Sequence, residues 1–180
     1  MMSSSVFLSD INTSWSLFLD RDGVINQRIY DGYATKVEEF IIMDKVQEAF
    51  KIFRTKFGKI FVVTNQQGIG KGIMTESQLT VVHAYMLHEL KQIDKVYYSP
   101  YLASDNHPFR KPNIGMALQA KKDFPEINFR KSIMVGDAYT DILFGQNAEM
   151  KTVFIGNEIN NIKADIYADS LYEFAKMLLL

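Results

Sequence analysis

The chain has 180 residues, 47% of them hydrophobic and 23% charged. A chain of this size buries roughly 70% of its unfolded surface, so one domain with its own core is expected and bulk disorder is excluded. Twenty basic and 21 acidic residues leave a net charge of −1, which offers no general field to nucleic acid or an anionic membrane, and the absence of cysteine excludes disulfides, thiolate zinc sites, iron–sulfur clusters and cysteine nucleophiles.

Residues 1–14 are Ser-rich, contain no Lys or Arg, and hold no apolar run longer than Val6–Phe7–Leu8. They read as a flexible tail rather than an export signal, which makes the cytoplasm the default location and 15–180 the folded domain. No apolar run approaches the roughly 20 residues of a bilayer span. Trp15 to Leu19 reads as a buried parallel strand ending at Asp20, and Asp22–Gly23 breaks it. Residues 24–40 are mixed, with an Asp31–Gly32 turn signal, and predict a small hairpin or irregular flap. Val46, Ala49, Phe50 and Phe53 recur at helical spacing from about Asp44 to Phe57, where Gly58 supplies a stop.

Lys59 to Thr64 is the second strand, leading into the Gly-rich loop Asn65 to Gly72. Thr75 with Gln78 forms a capping-box pattern for a helix reaching about Ile93. Val96–Tyr98 predicts a third strand, 99–111 a loop with two prolines, and Asn113 to Phe124 a helix. Ser132–Val135, Thr152–Ile155 and Ile166–Tyr167 complete the strands, with helices over Ala138 to Ala148 and Asp169 to Leu179. Strands alternating with helices imply an α/β fold, a Rossmann-like, mostly parallel sheet covered on both faces. Core elements fill the about 40 residues between Asp22 and Thr64 and the 45 between Asn65 and Arg110, which leaves no room for a separate cap domain.

In such sheets, ligands bind beyond the carboxyl ends of the strands. The residues there are Asp20 and Asp22, Thr64 and Asn65, Arg110 and Lys111, and Asp137 and Asp141. Asp20 and Asp22 point the same way on an extended backbone, and their mutual repulsion, increased by Asp137, calls for a cation. Oxygen ligands suit Mg²⁺. One Asp-x-Asp-Gly alone would be an ordinary turn, but four strand ends together describe a site for a divalent metal and an anion.

The segment Phe18 to Asn26 (FLDRDGVIN) resembles the first motif of the haloacid dehalogenase (HAD) superfamily. Thr64–Asn65, Arg110–Lys111–Pro112 and Gly136–Asp137…Asp141 resemble its second, third and fourth motifs in order, over roughly residues 15–156. Asp22 places the chain with the phosphatases of that superfamily. Val24–Asn26, Thr64–Ile69 and Ile93–Tyr98 are similar to subclass IIIA, the branch of the D-glycero-D-manno-heptose 1,7-bisphosphate and histidinol-phosphate phosphatases. The resemblance implies that Asp20 is the nucleophile, forming an aspartyl phosphate, and Asp22 the general acid and base. It implies Mg²⁺ on Asp20, the Asp22 carbonyl and Asp137, and phosphate held by Thr64, the Asn65 N–H and Lys111. Asp141 would orient Lys111 or the metal's waters, although its four-residue spacing from Asp137 equally fits a surface helix carboxylate. Arg110 would bind the phosphate that is not hydrolysed, with Lys71 and Gln66 on the substrate rim. Lys71 belongs to no P-loop, because Ile73 follows Gly72 where a Ser or Thr would close the motif.

Many members of this branch carry a structural zinc ahead of the third motif. The matching positions here are Ser99, Tyr101, His107 and Phe109, of which only His107 is a zinc ligand type, so no structural zinc is expected. The loop must be held by packing, with Tyr101, Pro108 and Phe109 as candidates. His83 and His88, five apart on one helix, miss metal-binding spacing and read as surface or partly buried structural residues. The expected partner is a small phosphorylated metabolite, with heptose 1,7-bisphosphate ahead of histidinol phosphate. Balanced charge disfavours a nucleic-acid 3′-end phosphatase, the intact set of chemical residues disfavours a non-catalytic binding module, and oligomeric state is left open.

Overall fold

Apolar runs long enough to cross a sheet but too short for helices become its strands. In the computed structural model, which describes residues 6–156 and 163–180, these are β1 (Ser16–Leu19), β2 (Lys59–Asn65), β3 (Lys95–Ser99), β4 (Ser132–Gly136), β5 (Lys151–Ile155) and β6 (Ile166–Ala168). They form one parallel sheet in the order β3-β2-β1-β4-β5-β6. The intervening helices are α1 (Val46–Lys56), α2 (Glu76–Glu89), α3 (Gly115–Asp123), α4 (Tyr139–Asn147) and α5 (Leu171–Met177).

Side chains alternate across a strand, so each strand feeds two cores. Leu17 and Leu19 of β1 join Ile60, Val62, Ile133 and Val135 beneath α1 and α5. Phe18, between them, faces Phe61, Met134 and the inner sides of α3 and α4. The inner strands β1, β2, β4 and β5 are buried on both faces and read as continuous apolar runs for that reason, while the edge strands β3 and β6 are partly exposed. Register is regular: Leu17 lies beside Ile60 on one neighbour and Ile133 on the other.

The chain moves outward from β1 through β2 to β3, then returns to place β4 on the opposite side of β1. The order reverses at β1, and the crevice beyond its carboxyl end is the ligand-binding position of an open α/β sheet. Thr75 caps α2 as expected: its hydroxyl accepts from the Gln78 N–H at 3.2 Å, and its own N–H donates to Gln78 Oε1 at 2.8 Å. The helix stops at Glu89, short of Ile93, because the chain must turn there to enter β3, with the Asp94 N–H donating to the Ile60 carbonyl at 2.8 Å.

The expected flap is largely irregular. Asn26 makes an isolated antiparallel bridge to Ile42, and Val37–Glu39 form one 3₁₀ turn. Among the described residues there is no second sheet or cap unit. The packed structure begins before residue 15. Val6–Asp10 form a 3₁₀ turn, Phe7 stacks on Trp15 at 6.3 Å, and Ile11 is buried. Phe7, Leu8 and Ile11 thus pack against the core from within the segment expected to be a tail, and residues 1–5 of that segment lie outside the described residues.

Candidate active site

Asp20 directly continues β1, with its N–H donating to the Val135 carbonyl of β4 at 2.9 Å. The chain then winds around the Arg21 carbonyl, which accepts from the N–H groups of Ile25 at 2.8 Å and Asn26 at 3.1 Å. Gly23 turns with φ +92°, and a Cβ there would lie 1.9 Å from Asp137 Oδ2, so glycine is required both for the backbone angle and for the approach of the Asp137 carboxylate. Gly136 ends β4 under the steric constraint alone: a Cβ would lie 2.1 Å from Asp141 Cβ.

Lys111 arrives on the loop after β3 and is buried. Its Nζ lies 2.7 Å from Asp20 Oδ1, 2.7 Å from Asp141 Oδ1 and 2.7 Å from the Val63 carbonyl. Burial opposes its charge, but Asp141 and Asp20 outweigh that and raise its pKa. The Asn65 side chain fixes the backbone of Lys111 in both directions, donating to its carbonyl and accepting from its N–H, each at 3.1 Å. Asp141 is buried and not on the surface. Besides Lys111, it accepts from the Ala138 N–H at the start of α4 at 3.0 Å.

Asp22 has a different environment. Its carboxylate accepts from Arg21 Nη2 at 2.9 Å, Asn26 Nδ2 at 3.0 Å and Gln66 Nε2 at 2.8 Å. Burial alone would raise its pKa, but the Arg21 charge and these donors hold it below the ordinary carboxylate range. Asp20 is pushed up to about 7, first by burial and then by Asp141, against the pull of Lys111. Asp137 is pushed up to about 6, again chiefly by burial. Two neighbouring carboxylates of one β1 loop are thus driven in opposite directions. Oxygen atoms of Asp20, Asp137 and Asp141 lie within 4.8 Å of one another. Buried oxygen donors with excess negative charge suit a hard divalent cation.

Arg21 and Arg28 were not singled out from the sequence, and His83 was read there only as a surface or partly buried structural residue. Arg21 is fully buried between the two aspartates in sequence. Its Nη1 meets His83 Nε2 at 3.1 Å, and its guanidinium lies over the Phe40 ring at 5.5 Å. His83 is buried, and burial together with the Arg21 charge lowers its pKa to about 3, so the ring is neutral and accepts from Arg21. Arg28 of the flap donates through Nη2 to Asp137 Oδ1 at 2.6 Å and to the Asp22 carbonyl at 3.1 Å. The available signal was a count of charge: four carboxylates facing a single lysine leave a demand for further cations.

A cleft of about 520 Å³ opens over these groups, lined by Asp20, Asp22, Thr64, Asn65 and Lys111, with Arg28, Lys71 and Arg110 at its rim. Gln66, expected at that rim, lies buried beneath it, bonded to Asp22 and to the Thr64 hydroxyl at 2.9 Å, and Gln67 lines the cleft instead. A parallel stack of Tyr101 on His107, with centroids 3.4 Å apart, holds the loop carrying Arg110. The His107 carbonyl accepts from the Arg110 N–H, and its Nδ1 accepts from the Phe109 N–H. Arg110 Nη1 donates to the Tyr101 carbonyl at 2.9 Å, which ties the guanidinium to that stack.

Comparisons with known proteins agree with this geometry. The sequence model of the polynucleotide kinase 3 phosphatase family matches residues 17–178. The D-glycero-alpha-D-manno-heptose-1,7-bisphosphate 7-phosphatase of Campylobacter jejuni is 39% identical over 147 residues, covering 79% of this chain and 83% of the relative. The D-glycero-beta-D-manno-heptose-1,7-bisphosphate 7-phosphatase of Helicobacter pylori is 34% identical over 146 residues, covering 78% and 82%. The crystal structure of the D,D-heptose 1,7-bisphosphate phosphatase of B. bronchiseptica, complexed with magnesium and phosphate, superposes with a TM-score of 0.82 at 22% identity, covering 92% of this chain and 98% of that one.

Proposed function

The chain belongs to the polynucleotide kinase 3 phosphatase family and is a phosphatase, and on that premise we propose that it hydrolyses one phosphate of a small sugar bisphosphate, foremost D-glycero-D-manno-heptose 1,7-bisphosphate. The observation that carries this reading is the placement of Lys111 Nζ between Asp20 and Asp141 at the floor of a cleft whose rim holds Arg28, Lys71 and Arg110. A charged floor fits the phosphate that reacts, and a cationic rim fits a second anion. The relatives' names support the heptose, and they divide between the alpha and beta anomers. The family description names a polynucleotide, but the balanced charge lacks the basic stripe a nucleic-acid backbone would require. Sugar phosphates do not cross membranes unaided, so the corresponding location is the cytoplasm. No helix among the described residues is long and apolar enough to span a bilayer.

In the proposed reaction, a carboxylate oxygen of Asp20 attacks phosphorus and the bond to the sugar oxygen breaks. Asp22 delivers a proton to that departing oxygen. Arg21, Asn26 and Gln66 hold the Asp22 carboxylate ionised in the free chain, and the approach of a phosphate dianion raises its affinity for the proton it must carry. Asp22 then removes a proton from the water that attacks the aspartyl phosphate, which regenerates Asp20 and releases inorganic phosphate. Lys111, fixed by Asp141, offsets charge on the transferring group, while Thr64 and the Asn65 N–H hold its oxygens. Mg²⁺, held by Asp20, the Asp22 carbonyl and Asp137, would supply the charge that lets an anionic nucleophile approach an anionic phosphate.

Asp20→Asn should retain the fold by circular dichroism and lose at least about a thousandfold in phosphate release, because an amide cannot form the acyl phosphate. Near-normal activity would sink the mechanism. Arg110→Ala should reduce kcat/KM for the bisphosphate by roughly 10–150-fold, the loss of one charge-assisted contact, with little effect on a simple monoester. Equal damage to both substrates, or no preference for the bisphosphate over histidinol phosphate, would remove the heptose assignment and leave the phosphatase.

A further inference from the structure

Arg28 reaches the site from the irregular flap, and one nitrogen of its guanidinium bridges two groups. Nη2 is 2.6 Å from Asp137 Oδ1 and 3.1 Å from the backbone carbonyl of Asp22. These are two of the three groups assigned to Mg²⁺ in the proposed reaction, and the role of Arg28 rests on that assignment. A guanidinium nitrogen and a divalent cation compete at the same two oxygens, because two positive charges held this close repel and each weakens the oxygens as partners for the other. We infer that Arg28 is the resident counter-cation of the metal-free centre, and that the divalent cation binds by displacing it.

The two cations that touch these carboxylates differ in how they are held. Lys111 is 2% exposed and tied by three contacts, one to the Val63 carbonyl within the sheet. The Arg28 side chain is 39% exposed, and its stem belongs to a segment outside the sheet and helices. Lys111 is therefore the fixed charge and Arg28 the exchangeable one. Arg28 already lines the cleft, so rotation about its side-chain bonds carries the guanidinium from the carboxylates into the substrate space with no change in the strands. In the metal-free chain its removal leaves Asp20, Asp137 and Asp141 with Lys111 as the neutralising charge among them. In the metal-bound chain its removal costs the centre nothing.

The test compares wild type with Arg28→Ala by calorimetric titration of Mg²⁺ into EDTA-stripped, desalted protein, and by thermal melting in EDTA and in saturating Mg²⁺. Arg28→Ala should bind Mg²⁺ about tenfold more tightly, the equivalent of one charge-assisted hydrogen bond no longer competing. Its melting temperature should fall by about 3 °C or more in EDTA and match wild type in Mg²⁺. Arg28→Lys, which keeps the charge and loses the planar fork, should lie between them and covers the case in which the alanine variant fails to fold. The Arg28 Nε–H resonance should shift and lose protection from solvent exchange when Mg²⁺ is added to wild type. Unchanged or weaker Mg²⁺ binding by Arg28→Ala, or equal loss of melting temperature in both conditions, overturns the displacement. Absence of Mg²⁺ binding by wild type overturns the metal assignment itself, and the two failures are distinguishable in one titration.

Discussion

Arg21 is buried without being part of the apolar core, and its charge is placed by three neighbours: Asp22, His83 and the face of Phe40. His83 is the member that titrates. Its pKa is about 3 in the folded chain against an ordinary 6.5, so between those values the unfolded chain binds a proton that the folded chain refuses. Stability from this residue is fully present above pH 6.5 and is lost as pH falls toward 3. Glutamine can still accept from Arg21 but does not titrate in this range. His83→Gln should therefore flatten the acid slope of stability, by up to about 1.4 kcal/mol per pH unit for one proton, in urea denaturation at pH 7, 5.5 and 4.5. Parallel slopes for variant and wild type would show that His83 is not buried neutral. The same neighbourhood marks what sequence could reveal. Asp20, Asp22, Thr64, Lys111 and Asp137 were legible because each lies at or beyond the carboxyl end of a strand, and strand ends can be located from apolar runs. Arg21, Arg28 and His83 were not, because their contacts join a loop, a flap and a helix that are distant along the chain. The same holds for Gln66, whose buried direction depends on where Asp22 lies.

At the scale of elements, two glycines set how closely β1 and β4 deliver their carboxylates. Gly23 is the sharper case, with a positive φ and the Asp137 carboxylate in the place a Cβ would take. Gly23→Ala should cost about 1–3 kcal/mol in backbone strain and move Asp137 off its position. The measurable outcome is a lowered urea midpoint together with weaker Mg²⁺ binding in calorimetry. Wild-type Mg²⁺ affinity in a destabilised variant would show that the centre tolerates the shift. The elements themselves were largely readable, since continuous apolar strands and an amphipathic α1 carry strong periodic signals. The segment at 6–14 was not, because Phe7, Leu8 and Ile11 have too short a span for any period. What orders them is Trp15 and the core beneath, which no local pattern reports.

For the molecule as a whole, alternation of strands and helices indicated a parallel sheet, but not its order, because order depends on which strands meet across long separations. Contacts between β1 and β2 link residues such as Ser16 and Lys59, whereas those between β1 and β4 link Ser16 to Ser132. Closing the longer loop costs more chain entropy and must wait for most of the chain. Asp20 at the end of β1 and Asp137 after β4 lie on opposite sides of that closure. During refolding or synthesis, β1, β2 and β3 can pair while Asp20 still lacks Asp137 and Asp141. In pulsed hydrogen-exchange refolding, protection of β2 and β3 should therefore precede protection of β4, and capacity to bind Mg²⁺ should return with β4. Recovery of metal binding before β4 is protected would contradict that order. With that order, the reversal of strand order at β1 would act as a timing device. A nascent chain would pass through an interval in which it is partly folded yet chemically silent, its reactive centre assembled by the join between the two halves of the sheet.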